Sequence, residues 1–452
     1  MKKATLFTLA LLFFSTVSVG ILSCKIFESR DQVVFTEKVF YGNSANANGL
    51  QIECSDTFAN HLFWDTTLSF EDDLQTKTDY SFMLQEPRLN GEITYSGLYM
   101  NTSYDFVTAY DAEPPTSGLD LAYYELFQST EPGQEKSKWI YLKDYEEYYP
   151  IMLTLDFPSS NRFEAEKLLA KKMQDYFKIP VLEEEKLEIS IGRNHQGQLF
   201  SCGNTGIGDI QYFLNSCSTL TDECCYFTFN TRASDGSIID TSELPEGYGI
   251  YSISYTLTKE GNYDRNILDI DVDSLKLCYP LNSDIKILSW GTNETKEHLL
   301  IHAIESADYV FTAINLSTME LTQEIRFELK QDVDDVLFVY DKDGFFVTYH
   351  YDANQLWVIE EMDDGTYRLA LSCEISPDDM YRDPNYDTAM AFDGERLALV
   401  KQYNWCGLNV MSYDKNGLSY HAEFETSLNP PYDTYDGDFT ANPAKPVEIT
   451  WK

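Results

Sequence analysis

Between Ile285 and Glu425 the apolar and polar positions of the chain follow one pattern three times over. The inner strands read as near-continuous apolar runs: Leu299–Leu300–Ile301, Phe345–Phe346–Val347 and Leu397–Ala398–Leu399–Val400. Each unit ends on an alternating strand. Leu321, Ile325, Phe327 and Leu329 face one way and Glu324, Arg326 and Glu328 the other; Tyr367, Leu369, Leu371, Cys373 and Ile375 repeat this, as do Leu418, Tyr420, Ala422 and Phe424. Two interleaved series of turns punctuate the strands. One runs through Asn293–Glu297, Asp341–Gly344 and Asp393–Gly394, the other through Ser317–Thr318, Asp363–Gly365 and Asp414–Gly417. A period of about 50 residues marks an array of supersecondary units. Short turns make neighbouring strands antiparallel, while uninterrupted apolar runs need cover on both faces. Four-stranded sheets stacked face to face are the blades of a β-propeller. Units of about 45 to 52 residues over the roughly 400 that follow the tether, discounting one helical insertion, give seven or eight, and predict an all-β protein, a β-propeller of about seven four-stranded blades.

Towards the amino terminus the same signals recur with longer loops. Val33–Phe40, Gly49–Cys54 and His61–Thr67 read as strands, as do Ile93–Tyr99, Leu121–Phe127, Trp139–Leu142 and Ile151–Phe157 between Pro, Gly and Ser clusters. One helical insertion is expected near 161–178. Ser159, Ser160 or Asn161 caps it, Pro180 stops it, and Leu169, Met173, Tyr176 and Phe177 form its apolar stripe. Strands resume at Leu187–Ile191, Leu199–Cys202, Ile210–Leu214, Cys225–Phe229, Ile250–Leu257, Ile267–Ile270 and Leu275–Tyr279. At the carboxyl end Val447, Ile449 and Trp451 share one face of a strand too small to fold alone. Open sheet edges invite aggregation, so this strand is expected to pair with the sequence around Val33–Phe40 or that beginning at Gly49.

Met1–Lys2–Lys3 followed by the uncharged Ala4–Leu22 has the form of an export signal. Ile21–Leu22–Ser23–Cys24 looks like a bacterial lipobox, which makes Cys24 the candidate lipidation site; cleavage after Gly20, or retention as an amino-terminal anchor, are the alternatives. The resulting division is a leader over 1–24, a tether over 25–32 and one β-propeller domain over 33–452. Tyr41–Gly42–Asn43 with Gly49–Leu50, and then His61–Leu62–Phe63–Trp64–Asp65, resemble the start of a group of uncharacterised, exported, membrane-anchored proteins of Gram-positive gut bacteria of the Firmicutes. The resemblance spans roughly residues 33–70. It implies a location on the extracytoplasmic face of the membrane and carries no activity.

Seventy-four acidic residues against 33 basic ones give a net charge of −41, which repels a phosphate backbone and excludes nucleic acid as a partner. The same charge attracts divalent cations. Asp433, Asp436 and Asp438, with Gly437 between them, form the best candidate calcium loop; Asp269–Asp271–Asp273 and Asp332–Asp334–Asp335 are similar in composition. With Cys24 assigned to the leader, Cys54, Cys202, Cys217, Cys224, Cys225, Cys278, Cys373 and Cys406 remain, an even eight that predicts disulfides in an oxidising compartment. His298 and His302, four apart, are placed on one face of a strand and not on a metal-binding helix. The run Asp144–Tyr149 sets aromatic rings beside carboxylates, as a sugar-binding surface does. No G-x-S-x-G, P-loop or H-E-x-x-H motif is present. The sequence therefore favours a tethered binding, sensor or scaffold protein with a protein or carbohydrate ligand outside the cell. An extracellular carbohydrate-active enzyme with carboxylates at the propeller mouth is the alternative.

Overall fold

In the computed structural model the chain is all-β and built of antiparallel sheets. The structure describes residues 2–29, 35–58, 62–71, 74–82, 95–102, 115, 118–206, 216–231, 238–259, 266–306, 308–329, 337–342, 344–350, 354–375, 388–403, 407–426 and 445–452. From the amino terminus run α1 (Lys2–Ser29), β1 (Phe35–Gly42), β2 (Leu50–Phe58), β3 (Leu62–Phe70), β4 (Leu74–Phe82) and β5 (Gly97–Thr102). Next come α2 (Leu119–Gln128), β6 (Glu135–Tyr141), β7 (Ile151–Asp156), α3 (Arg162–Tyr176), β8 (Lys186–Arg193), β9 (Leu199–Gly206), β10 (Ser216–Leu220), β11 (Cys224–Phe229), β12 (Gly249–Lys259) and β13 (Asn266–Pro280). The first two repeats give β14 (Ile285–Thr292), β15 (His298–Glu305), β16 (Asp308–Asn315), β17 (Glu320–Glu328), β18 (Leu337–Lys342), β19 (Phe345–His350), β20 (Gln355–Glu361) and β21 (Tyr367–Glu374). The third gives β22 (Thr388–Phe392), β23 (Leu397–Tyr403), β24 (Gly407–Asp414) and β25 (Gly417–Thr426), and β26 (Lys445–Trp451) ends the chain.

Among the described residues these strands form seven sheets. Four are four-stranded, with the orders β10-β11-β12-β13, β14-β15-β16-β17, β18-β19-β20-β21 and β26-β2-β3-β4; a fifth adds β1 to the outer side of β22–β25. This up-and-down order is that of propeller blades. The chain divides into two compact units, Met1–Gly91 with Val336–Lys452, and Glu92–Asp335.

Within the first unit the sheet of β22–β25 shows why its strands carry no alternation. Ala398, Val400, Leu408, Val410, Ala422 and Phe424 enter a core shared with Leu50, Ile52, Leu68, Phe70 and Ile449. Leu397, Leu399, Met411 and Tyr413 enter a second core with Phe345, Val347, Leu356, Val358 and Leu371. Both faces of the pleat are therefore covered, and each fully buried Leu or Val side chain contributes about 1.5–3 kcal/mol.

The alternation of the outer strands is broken at one place in every repeat. Register shifts fall between Ala313 and Ile314, between Val358 and Ile359, and between Ser412 and Tyr413, leaving Thr322, Ala370 and Ser419 as the extra residues of their bulges. A bulge reverses the facing of what precedes it. Leu418 accordingly joins the core of β18–β21 while Tyr420, Ala422 and Phe424 join the other, and Leu369 is exposed.

The turns repeat as closely. Gly344, Gly394, Gly365 and Gly417 all have positive φ, and in the first repeat Lys296 (φ 56°) and Met319 (φ 55°) take the corresponding places. A Cβ on Gly417 would lie 3.0 Å from the carbonyl oxygen of Glu374.

The carboxyl-terminal strand pairs with the second of its two expected partners. Trp451 lies opposite Leu50 and Ile449 opposite Ile52, while β1 pairs with β25. Trp451 also donates from Nε1 to the carbonyl of Ala391 at 3.1 Å, and the Arg396 guanidinium stacks 3.9 Å from its ring centroid. Arg396 is held in turn by Asp393 and by the carbonyls of Asn46 and Asn48. One ring thus fastens the chain end to two sheets.

In the second unit one continuous core runs from Leu98 to Leu316. The expected helix is α3, with Leu169, Met173 and Phe177 fully buried. Its N-cap residue Asn161 uses its side chain elsewhere, bonding both the N–H and the carbonyl of Leu268 on the edge of β13. Glu166 and Gln174 accept from the N–H groups of Leu155 and Ile151 on the edge of β7. The insertion covers two sheet edges with side chains in place of a strand. The expected strand over Leu121–Phe127 is helix α2. Leu119, Ala122, Tyr123, Leu126 and Phe127 recur at helical spacing and are all buried, and Glu146 accepts from the first N–H at 2.7 Å. The expected strand Ile210–Leu214 lies outside the described residues.

Two stability measurements check this account. Gly417→Ala should cost about 2 kcal/mol in urea unfolding, whereas Lys296→Gly should cost nothing, because glycine relieves a left-handed backbone. Equal losses for both would show that the turn conformations are wrong. Trp451→Ala should lower the unfolding free energy by about 3 kcal/mol through lost packing and the lost cation–π contact.

Candidate functional site

Cys24 lies exposed on α1, whose Phe7, Leu11, Phe13, Phe14 and Ile21 are exposed too. No helix among the described residues is long and apolar enough to cross a membrane. Asp433, Asp436 and Asp438, like Asp332, Asp334 and Asp335, lie outside the described residues. Asp269, Asp271 and Asp273 are exposed on β13, where Asp273 pairs with Lys172 of α3 at 3.2 Å and Asp271 accepts from the N–H of Asp273. Among the described residues no three metal-ligating side chains converge.

Of the eight cysteines expected to form disulfides, Cys406 lies outside the described residues, and the other seven, like Cys24, are free thiols. For two of the possible pairs the placement explains this. Cys54 and Cys373 are buried in different cores, and Cys224 and Cys225 point to opposite faces of β11. Burial pushes the thiols of Cys54, Cys225 and Cys373 up to about 12 and that of Cys217 up to about 11, which leaves them inert.

His298 and His302 share the face of β15 that the sequence assigned them, and both are buried. His302 Nδ1 lies 2.6 Å from Tyr309 Oη and its ring meets Phe311 edge-on. Burial pulls its pKa down to about 3, so the imidazole is neutral.

The acidic and aromatic run 144–149 is largely structural. Glu146 caps α2, Tyr145 donates to Glu125 at 3.2 Å, and Tyr149 is fully buried, donating to Glu185 at 3.3 Å. Asp144 and Glu147 are exposed, and Tyr148 is half-buried and donates to Glu243 at 2.8 Å, a bond that raises its pKa to about 12. Glu185 and Glu423 are the buried carboxylates among the described residues. Each belongs to a different unit, and each has a partner, Tyr149 for the first and Lys38 at 3.5 Å for the second.

A surface that the sequence reading did not single out lies on the sheet β6-β8-β9. Leu187, Ile189 and Ile191 of β8, with Ile140 of β6, point into the core. The residues between them point outward: Glu135, Ser137, Trp139 and Tyr141 on β6 stand opposite Gly192, Ser190, Glu188 and Lys186 on β8. Ser201 and Gly203 of β9 continue the row. Trp139 is 43% exposed and Tyr141 45% exposed. Lys186 Nζ sits 4.9 Å from the Tyr141 ring centroid, and among the described residues no ring or cation stacks on Trp139. At the far end of the row, opposite Glu135, a Cβ on Gly192 would collide with Ser201 Oγ and meet Glu135 Cγ at 3.0 Å. Two aromatic faces about 7 Å apart along the strand are thus flanked by hydroxyls and carboxylates. The sequence signal was Trp139–Ile140–Tyr141, where the apolar residue between two rings is the one that goes inside.

No family model and no curated protein sequence matches the chain. Among solved structures it is similar to a periplasmic gluconolactonase of Pseudomonas aeruginosa, at 9% identity over 88% of this chain and 98% of that one, with a TM-score of 0.27. It is also similar to an oligogalacturonate lyase of Vibrio parahaemolyticus, at 8% identity, 86% and 97% coverage and a TM-score of 0.25. A β-propeller domain from Myceliophteria thermophila matches at 8% identity, 55% and 82% coverage and a TM-score of 0.21.

The neutral imidazole of His302 sets a pH dependence. Its folded pKa of about 3 lies below the unfolded 6.5, so the unfolded chain binds the proton between these values. The contribution is complete above pH 6.5 and is lost towards pH 3, by at most about 1.4 kcal/mol per pH unit. Urea unfolding from pH 7 to pH 4.5 should therefore show a shallower loss in His302→Gln than in the wild type. Parallel pH profiles would place His302 in a solvated site.

Proposed function

We propose that the chain is an extracytoplasmic, membrane-tethered β-propeller protein that binds a ligand and does not transform one. The observation that carries this reading is the outward row of Trp139 and Tyr141 beside polar side chains, a surface shaped for contact. Tyr149, Phe177 and Phe227 of the same unit are buried, whereas Trp139 and Tyr141 stand two apart on one outward face of β6. The two carboxylates buried among the described residues have structural partners, which favours binding over a glycoside hydrolase that needs two carboxyls flanking one bond.

The tether is read from the leader. A lipid on Cys24, or retention of the apolar segment, would hold the β-structure at the outer membrane surface. Cell fractionation tests this: the wild type should pellet with membranes, and Cys24→Ala should release or mislocalise a lipoprotein while leaving a signal-anchored protein in place. Recovery of the wild type in the culture medium would overturn both forms of attachment.

A further inference from the structure

We propose that the outer face of the β6-β8-β9 sheet binds a neutral glycan, with Trp139 and Tyr141 as stacking platforms and Ser137, Glu188 and Ser190 as partners of the sugar hydroxyls. This rests on the binding reading above and names the ligand class of that site. A pyranose has an apolar face of C–H groups and a rim of hydroxyls. It matches a flat ring bordered by short donors and acceptors, and that is what β6 and β8 present in register: Ser137 opposite Ser190, Trp139 opposite Glu188 and Tyr141 opposite Lys186. Successive rings about 7 Å apart on one strand line up as a polymer of sugars requires. Lys186 over the Tyr141 ring holds that side chain in place.

The neighbours of the rings argue against a protein partner. A stable protein interface has an apolar centre within roughly 800 Å² on each side. Here the apolar side chains of the same strands, Ile140, Leu187, Ile189 and Ile191, are turned into the core, and Ser, Gly, Glu and Lys surround the two rings. Charge decides the kind of glycan. The face carries Glu135 and Glu188 against Lys186, on a chain of net charge −41, so a polyanionic glycan is repelled both locally and at long range. A neutral polymer meets no such barrier, and the carboxylates serve it as acceptors.

Native gels cast with a soluble neutral polysaccharide test the proposal on the full chain purified in detergent. A mixed-linkage β-glucan, a xyloglucan and a galactomannan would be compared with polygalacturonate and with a blank gel. Retardation is expected in at least one neutral gel and in no polygalacturonate gel. Trp139→Ala and Tyr141→Ala should each weaken it at least about tenfold. Trp139→Phe should retain most of it, and Phe200→Ala, an exposed ring outside the row, should change nothing. Both alanine variants should unfold at the wild-type midpoint, since both rings are half exposed. Migration unretarded in every neutral gel overturns the proposal, as does retardation by polygalacturonate alone or retardation that survives Trp139→Ala. Trp139-dependent self-association in sedimentation would overturn it in favour of a second copy as the occupant. A protein that pellets with membranes yet passes every gel unretarded would sink the glycan and leave the tethered binding protein standing; one that is retarded but secreted would do the reverse.

Discussion

The sheet of β22–β25 is apolar on both faces, and much of the first unit follows from that. A strand such as Leu397–Val400 cannot lie at a surface in either orientation, because each orientation would expose half its side chains to water. Its sheet has to be sandwiched, which places β26-β2-β3-β4 on one side and β18–β21 on the other. The same demand explains why residues more than three hundred positions apart meet. Leu50 and Phe70 are drawn from the start of the chain, and Ile449 from its end, to cover the face that Ala398 and Val400 present.

The repeat was legible because turns and inner runs each have a strong local cause. Gly344, Gly365, Gly394 and Gly417 occupy left-handed positions that most residues avoid, and the apolar runs have only one solution. The first repeat was harder to see, since Lys296 and Met319 occupy those positions without the glycine signal. The bulges at Thr322, Ala370 and Ser419 were invisible for a different reason. Alternation in the sequence shows parity but not where parity changes, and an inserted residue of small or polar type leaves the pattern looking unbroken. Parity alone puts Leu418 on the face of Tyr420, and in the fold it packs on the opposite one.

Residues 118–206 were the least readable, and the candidate site lies there. Tyr123 and Tyr124 have strand propensity, yet the spacing of Leu119, Ala122, Tyr123, Leu126 and Phe127 is that of a helix, and burial of all five decided the outcome. The aromatic-acidic run 144–149 drew attention by composition, but composition does not reveal direction. Tyr149 turned inward and Glu146 was taken by the end of α2. Trp139 and Tyr141, in a strand of ordinary composition, turned outward because Ile140 between them was needed by the core formed with Leu187 and Ile189.

Sheet edges explain the remaining departures from a plain repeat. A blade-like sheet ends on an unpaired strand, and among the described residues such ends are covered in three ways. Along β7 and β13 the side chains of α3 and its cap, Glu166, Gln174 and Asn161, take the backbone groups that a further strand would have bonded. On β25 the free side is filled by β1, and Lys38 on that added strand reaches Glu423. On β2 it is filled by the last strand of the chain, which the Arg396–Trp451 stack then fixes. The first device uses a helix: among the described residues β5 and β7 form a pair with no third strand, and α3 supplies acceptors for the free N–H groups of β7. The insertion is a substitute for pairing, and its length follows from the strand it covers, about 20 Å for the six residues of β7 against about 22 Å for the fifteen of α3.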